Sequence, residues 1–252
     1  MRGKRGERRL LRVVGHAKVR NSFMKSEMDR GQRTRLALVG MSGSGKTFWT
    51  GKLAAAGWQA VGCDDLIEKR LALRLAARGY VGINGVAAWM GWPDSVTYAE
   101  REAEYLAEEI AVVDEYLSAL EKDESGAAMV LDTTGSVIYA QNNILMRLRR
   151  QMTVVHLAST EREQELLVRR YLSDPKPVLW RGTFHVKDGE TARETVARCY
   201  PLLIAARKKS YETLAHCSVQ VAELRASGGE PVDSSQDVER FLRKIREQTE
   251  RG

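Results

Sequence analysis

Two rhythms of apolar and polar residues run through this chain. Leu36–Val39 is an unbroken apolar run, the character of a strand buried on both faces, and the short apolar-rich segments Trp58–Cys63, Ala127–Leu131, Thr153–Leu157 and Ser218–Ala222 read as further strands. Between them the apolar residues return every three or four positions, which predicts helices over Thr47–Ala56, from Asp64 onward, and over Val96–Leu120, Ala140–Arg150, Thr160–Leu172 and Thr191–Leu214, with Pro201 a candidate kink. Gly57 should stop the first helix, Asp94 and Ser95 should cap the long one, and Tyr98, Tyr105, Val112 and Tyr116 are its inward, packing positions. Tyr80–Trp92 mixes glycine with apolar residues and predicts a short helix or loop over the site. Strands alternating with helices imply an α/β fold in three layers. A five-stranded parallel sheet should carry helices on both faces and right-handed crossovers, with ligands at the carboxyl ends of its strands.

The first strand breaks into Gly40-Met41-Ser42-Gly43-Ser44-Gly45-Lys46-Thr47, the pattern of a phosphate-binding P-loop. Gly40 lets the chain leave the strand in a tight turn. Gly43 and Gly45 remove Cβ atoms that would keep backbone N–H groups off a polyphosphate, and the following helix aims its positive end at the same anion. Met41 to Thr47 are the candidate ATP-binding residues, with Lys46 reaching the β and γ phosphates and the Thr47 hydroxyl on Mg²⁺. Asp64, at the end of the second strand, and Asp132, at the end of the third, are the candidate site acids, Asp132 as the magnesium partner. Ser173–Glu190 holds Pro175, Pro177, Gly182 and Gly189 with Lys176, Arg181 and Lys187, which reads as a mobile basic lid whose Lys176 and Arg181 meet ATP. His156 and His216 fall in or beside strands and read as packed histidines; His185 lies in the lid, where it could touch substrate.

Charge changes this picture little. The net charge is +7, but residues 1–33 alone hold 11 Lys and Arg against 3 Asp and Glu, so the remainder is close to neutral. A nucleic-acid groove would need that basic charge on the folded body, so a nucleic-acid partner is not expected. Residues 1–33 read as a disordered tail, with an organelle-targeting role left open and Met28 a second candidate start, residues 34–225 as the catalytic domain, and residues 226–252 as a polar linker and a charged, peripheral helix. No apolar run approaches the ~18 residues of a membrane span. The three cysteines, Cys63, Cys199 and Cys217, lack metal-ligand spacing and suit a reducing, cytoplasmic setting, with Cys63 closing a buried strand.

With the P-loop, Asp64-x-x-Ile67-Glu68, the Thr133-Thr134-Gly135 turn and Arg207-x-x-x-Tyr211-Glu212-x-Leu214-Ala215 in order from Leu36 to Val221, the chain resembles the shikimate kinase family. The resemblance implies that Asp64 contacts the acceptor hydroxyl, that Gly135 belongs to the substrate turn and that Arg207 holds a substrate carboxylate. It also marks departures. Ala99 stands where the family has a second carboxylate-binding arginine, Lys176-Pro177 replaces an Arg-Pro in the lid, Gly62 replaces an acid, and Thr134-Gly135-Ser136 keeps only the middle of three glycines. The expected activity is transfer of the γ-phosphoryl group of ATP, with Mg²⁺, to a hydroxyl of a small molecule such as shikimate or a related hydroxy acid or polyol, by a monomer. A nucleic-acid or nucleoside kinase and a non-catalytic ATP-binding regulator are the alternatives.

Overall fold

A computed structural model describes residues 34–224 and 234–250; the basic tail and most of the linker named above lie outside them. Among the described residues the strands are β1 (Arg35–Val39), β2 (Gln59–Gly62), β3 (Met129–Asp132), β4 (Thr153–Ala158) and β5 (Cys217–Gln220). They form a five-stranded, wholly parallel sheet in the order β2-β3-β1-β4-β5. The helices are α1 (Lys46–Ala55), α2 (Cys63–Ala76), α3 (Gly82–Met90), α4 (Tyr98–Glu121), α5 (Asn142–Gln151), α6 (Glu161–Ser173), α7 (Ala192–Leu214), α8 (Val221–Leu224) and α9 (Ser234–Thr249). No described helix is long and apolar enough to cross a membrane.

Strand alternation divides the core in two. Leu36 and Leu38 of β1 face a cluster with Trp49 and Leu53 of α1, while Ala37 and Val39 face a larger cluster built on α2 to α7. The register sets Leu38 beside Asp132 and Asp132 beside Gly62. The loop after β1, the last residue of β3 and the start of α2 therefore meet at the carboxyl end of the sheet.

Four expectations are corrected. Cys63 opens α2 rather than closing β2, though it is fully buried. The long helix starts at Tyr98 and not Val96: Asp94 and Ser95 lie in the preceding turn, and Thr97 at the cap position makes no side-chain capping bond. The lid is not a loose insertion, because Val178, Leu179 and Trp180 are buried in the larger cluster. Tyr98 anchors them, its hydroxyl 2.8 Å from the Val178 oxygen and 3.1 Å from the Trp180 nitrogen that donates to it. The last helix is not peripheral either. In α9, Val238, Phe241 and Ile245 complete the smaller cluster, Phe241 is 0% exposed and stacks on Trp49 at 4.5 Å, and Asp237 pairs with Lys52 at 2.5 Å.

Both strand histidines are packed, as read. His156 stacks on Tyr211 at 5.2 Å, and burial lowers its pKa to about 4. The His216 ring nitrogen accepts from the Val154 N–H at 2.9 Å. His185 is exposed. Pro201 sits within α7 without ending it.

Candidate active site

Gly40 leaves β1 with a φ of 144°, and a Cβ there would lie 2.9 Å from the Leu157 oxygen, so only glycine fits. The chain then wraps into the loop and enters α1 from Gly45, where no side chain caps the helix and its first N–H groups are left for an anion. Lys46 folds back over this loop, donating to the Gly40 oxygen at 3.0 Å and the Met41 oxygen at 3.1 Å. Burial lowers its pKa, while Asp132 and Asp64 act to raise it. The ammonium thus lies between the loop and the two acids.

Asp132 is buried beside the Thr47 hydroxyl, with which it hydrogen-bonds, and desolvation raises its pKa against the pull of Lys46. Among the described residues no group of three His, Cys, Asp or Glu side chains could chelate a metal. One hydroxyl with one carboxylate behind it fits Mg²⁺, which keeps waters and phosphate oxygens in its shell. Asp64 accepts from the Tyr105 hydroxyl at 2.9 Å, and burial raises its pKa, with Lys46 and that bond opposing. A carboxylate so placed is a better base than a solvated one.

One turn after Tyr105 on α4, Glu109 is 0% exposed. It takes hydrogen bonds from the hydroxyls of Thr134 and Ser136, the latter at 2.7 Å. Both hydroxyl residues of this turn are thus tied to one buried acid. Between them Gly135 packs so closely that a Cβ would lie 3.3 Å from both the Ser42 nitrogen and Arg207 Nη1. The Gly135 oxygen accepts from Arg207 at 2.8 Å and from the Tyr211 hydroxyl at 2.5 Å.

Burial pushes the Glu109 pKa from 4.5 up to about 8. Between these values the native protein keeps a proton that the unfolded chain has released, so stability falls as pH rises through this window by up to about 1.4 kcal/mol per unit. Glu109→Gln carries a neutral amide throughout. Its melting temperature relative to wild type should climb from about pH 5 to about pH 8; a constant difference would mean that Glu109 is ionised in the fold.

A groove of about 450 Å³ opens from Gly43 to Gly45, walled by Phe48, Trp49, Leu166, Arg170, Leu224 and Asp237. Of the expected ATP residues, the structure brings the loop, Lys46 and Thr47 together with Asp64 and Asp132. It does not bring Lys176 and Arg181 to this groove. Lys176 pairs with Asp174 at 2.8 Å and Asn84 at 2.5 Å, and Arg181 lies over the Tyr139 ring at 5.6 Å.

In the solved structures, the fold matches a shikimate kinase from Acinetobacter baumannii in complex with shikimate, with a TM-score of 0.55 and 21% identity over 85% of this chain and 93% of that one. It also matches a shikimate kinase from Bacteroides thetaiotaomicron, with a TM-score of 0.54 and 18% identity over 84% of this chain and 98% of that one. The chain has a shikimate kinase-like fold. No protein-family model and no curated protein matches it.

Within this shikimate kinase-like fold, sequence reasoning gives Tyr105 only a packing role and misses Glu109 and most of the groove. Glu109 had a signal: it lies eleven positions after Tyr98 on α4, the same face as Tyr105, and an acid in an apolar stripe demands a partner. Phe48 and Trp49 follow the P-loop directly, where α1 turns them toward the groove. Asp237 had none, since nothing local shows that α9 returns to α1.

Proposed function

We propose that this chain is an ATP-dependent phosphotransferase that moves the γ-phosphoryl group to a hydroxyl of a small molecule. What carries the reading is the convergence, at the ends of three adjacent strands, of the P-loop with Lys46, the Thr47–Asp132 pair, and Asp64 held by Tyr105. Such a transfer asks for positioning and charge neutralisation more than for covalent chemistry.

In this scheme the residues of the loop cradle the phosphates, and the groove beside Phe48 and Arg170 takes the nucleoside. Lys46 swings from its own loop carbonyls to the β and γ phosphates, exchanging two neutral acceptors for charged ones. Thr47 and Asp132 would hold Mg²⁺, which when bound neutralises phosphate charge. Asp64 orients the acceptor hydroxyl and takes its proton, Gly135 shapes the acceptor side, and Arg170, which reaches the Gly43 oxygen at 3.4 Å, is a cation already placed at the phosphate loop. Shikimate, present in the Acinetobacter baumannii structure, belongs in the acceptor panel as the reference compound.

The test is ADP release from Mg·ATP against a panel of hydroxy acids, polyols and nucleosides. Stimulation by at least one acceptor, lost in Asp64→Asn, is the expected result. Binding of ATP with no stimulated release would refute the reading in favour of a nucleotide-binding regulator.

A further inference from the structure

The acceptor side of this site is built for hydroxyls. A carboxylate clamp needs guanidinium N–H groups directed at open space, whereas each nitrogen of the buried Arg207 already donates inside the protein. Its Nε donates to the Tyr139 hydroxyl at 3.2 Å, Nη1 to the Gly135 oxygen at 2.8 Å and Nη2 to the Leu179 oxygen at 2.5 Å. The guanidinium also lies over the Tyr139 ring at 5.1 Å, and the residue is 2% exposed. All three nitrogens are engaged and covered.

The cover does not lift easily. Leu179, which supplies one acceptor, is fully buried, and Trp180 beside it is 1% exposed with its N–H bonded to Tyr98. Admitting a carboxylate to Arg207 would strip these contacts and leave the Leu179 carbonyl buried without its donor. Ala99 supplies no second cation, being exposed and uncharged. Arg181 over Tyr139 is exposed, so solvent screens much of what one guanidinium there could offer an anion.

What surrounds Asp64 points the same way. Asp132 acts on it as a second negative charge, and the Thr134 and Ser136 hydroxyls are already given to the buried Glu109, so their turn offers no side-chain donor to a carboxylate. Carboxylates accept hydrogen bonds from hydroxyl groups and repel a further carboxylate. We infer that the acceptor carries no carboxylate and is a neutral polyhydroxyl compound, with Arg207 serving as an internal tie among the substrate turn, Tyr139 and the lid segment. This rests on the phosphotransfer reading above.

Matched acid and neutral pairs decide it: shikimate with its methyl ester, gluconate with glucitol, and glucuronate with glucose, each scored as stimulated ADP release, with binding of a fluorescent ATP analogue measured in parallel. The neutral member of at least one pair should be used, with kcat/KM at least about tenfold above its acid partner. That tenfold is the order of one lost charge-assisted hydrogen bond. Arg207→Lys should lower the melting temperature and leave the ratio within each pair unchanged. If acids are used as well as or better than their partners, and Arg207→Lys removes that advantage at an unchanged melting temperature, Arg207 is a clamp and the inference is overturned while the kinase reading stands. If ATP binds and no member of any pair is used, the phosphotransfer reading falls and takes this inference with it.

Discussion

Lys46→Ala should lower acceptor-stimulated ADP release by about 10²–10³-fold, the scale of losing one preorganised charge at a reacting phosphate. Its melting temperature should stay within a few degrees of wild type. The two expectations separate because the side chain supports no apolar packing: it is a buried ammonium bonded to two carbonyls of its own loop. Burial already disfavours the charged form, so deleting it removes a desolvation cost along with the bonds. The acids Asp64 and Asp132 lose a nearby cation, which keeps the balance near zero rather than favourable. Turnover at the wild-type rate in this variant would refute the assignment of the loop.

Phe241→Ala should cost about 3–5 kcal/mol, as for other large buried aromatics, and lower the melting temperature by roughly 10 °C. The ring is fully buried, stacks on Trp49 of α1 and sits within the cluster that covers one face of β1. The same substitution should weaken ATP binding, because Trp49 and Asp237 both wall the groove at the P-loop. Glu247→Ala serves as the control on the same helix. Its pairing with Arg243 at 3.7 Å is largely exposed, so its effect should be within about 0.5 kcal/mol. Equal, small effects for both variants would return α9 to the periphery.

The α9 result also shows what could be read from the chain and what could not. The sheet was legible because short apolar-rich segments alternate with helical periodicity, and the P-loop because its glycines and Lys46-Thr47 have one physical use. In α9 the apolar positions Val238, Phe241 and Ile245 follow helical spacing, yet the charges among them dominated the reading. The lid failed for a related reason. Its prolines and glycines suggested mobility, although they flank Val178-Leu179-Trp180, an apolar run long enough to need burial. Among site residues, Asp64 and Asp132 were legible from their places at strand ends. Tyr105 was taken as packing because a phenol on an apolar stripe looks the same whether or not its hydroxyl meets an acid across the fold. The engagement of Arg207 was not legible at all, since its partners at Gly135, Tyr139 and Leu179 come from two other segments.

The order of strands in the sheet sets when this protein can begin to hold a phosphate. β1 is hydrogen-bonded only to β3 and β4, and Leu38 meets Asp132 across about ninety residues of intervening chain. Gly40 is likewise wedged against Leu157. A fragment ending before β3 would therefore carry the complete P-loop sequence on a strand with no neighbours, and its glycines would form no nest. Bringing such distant partners together requires large loops to close before any contact rewards them. Refolding should be slow for a chain so rich in helix, on the scale of milliseconds to seconds or longer, and nucleotide binding should be gained in the same kinetic step as the central strand pairing.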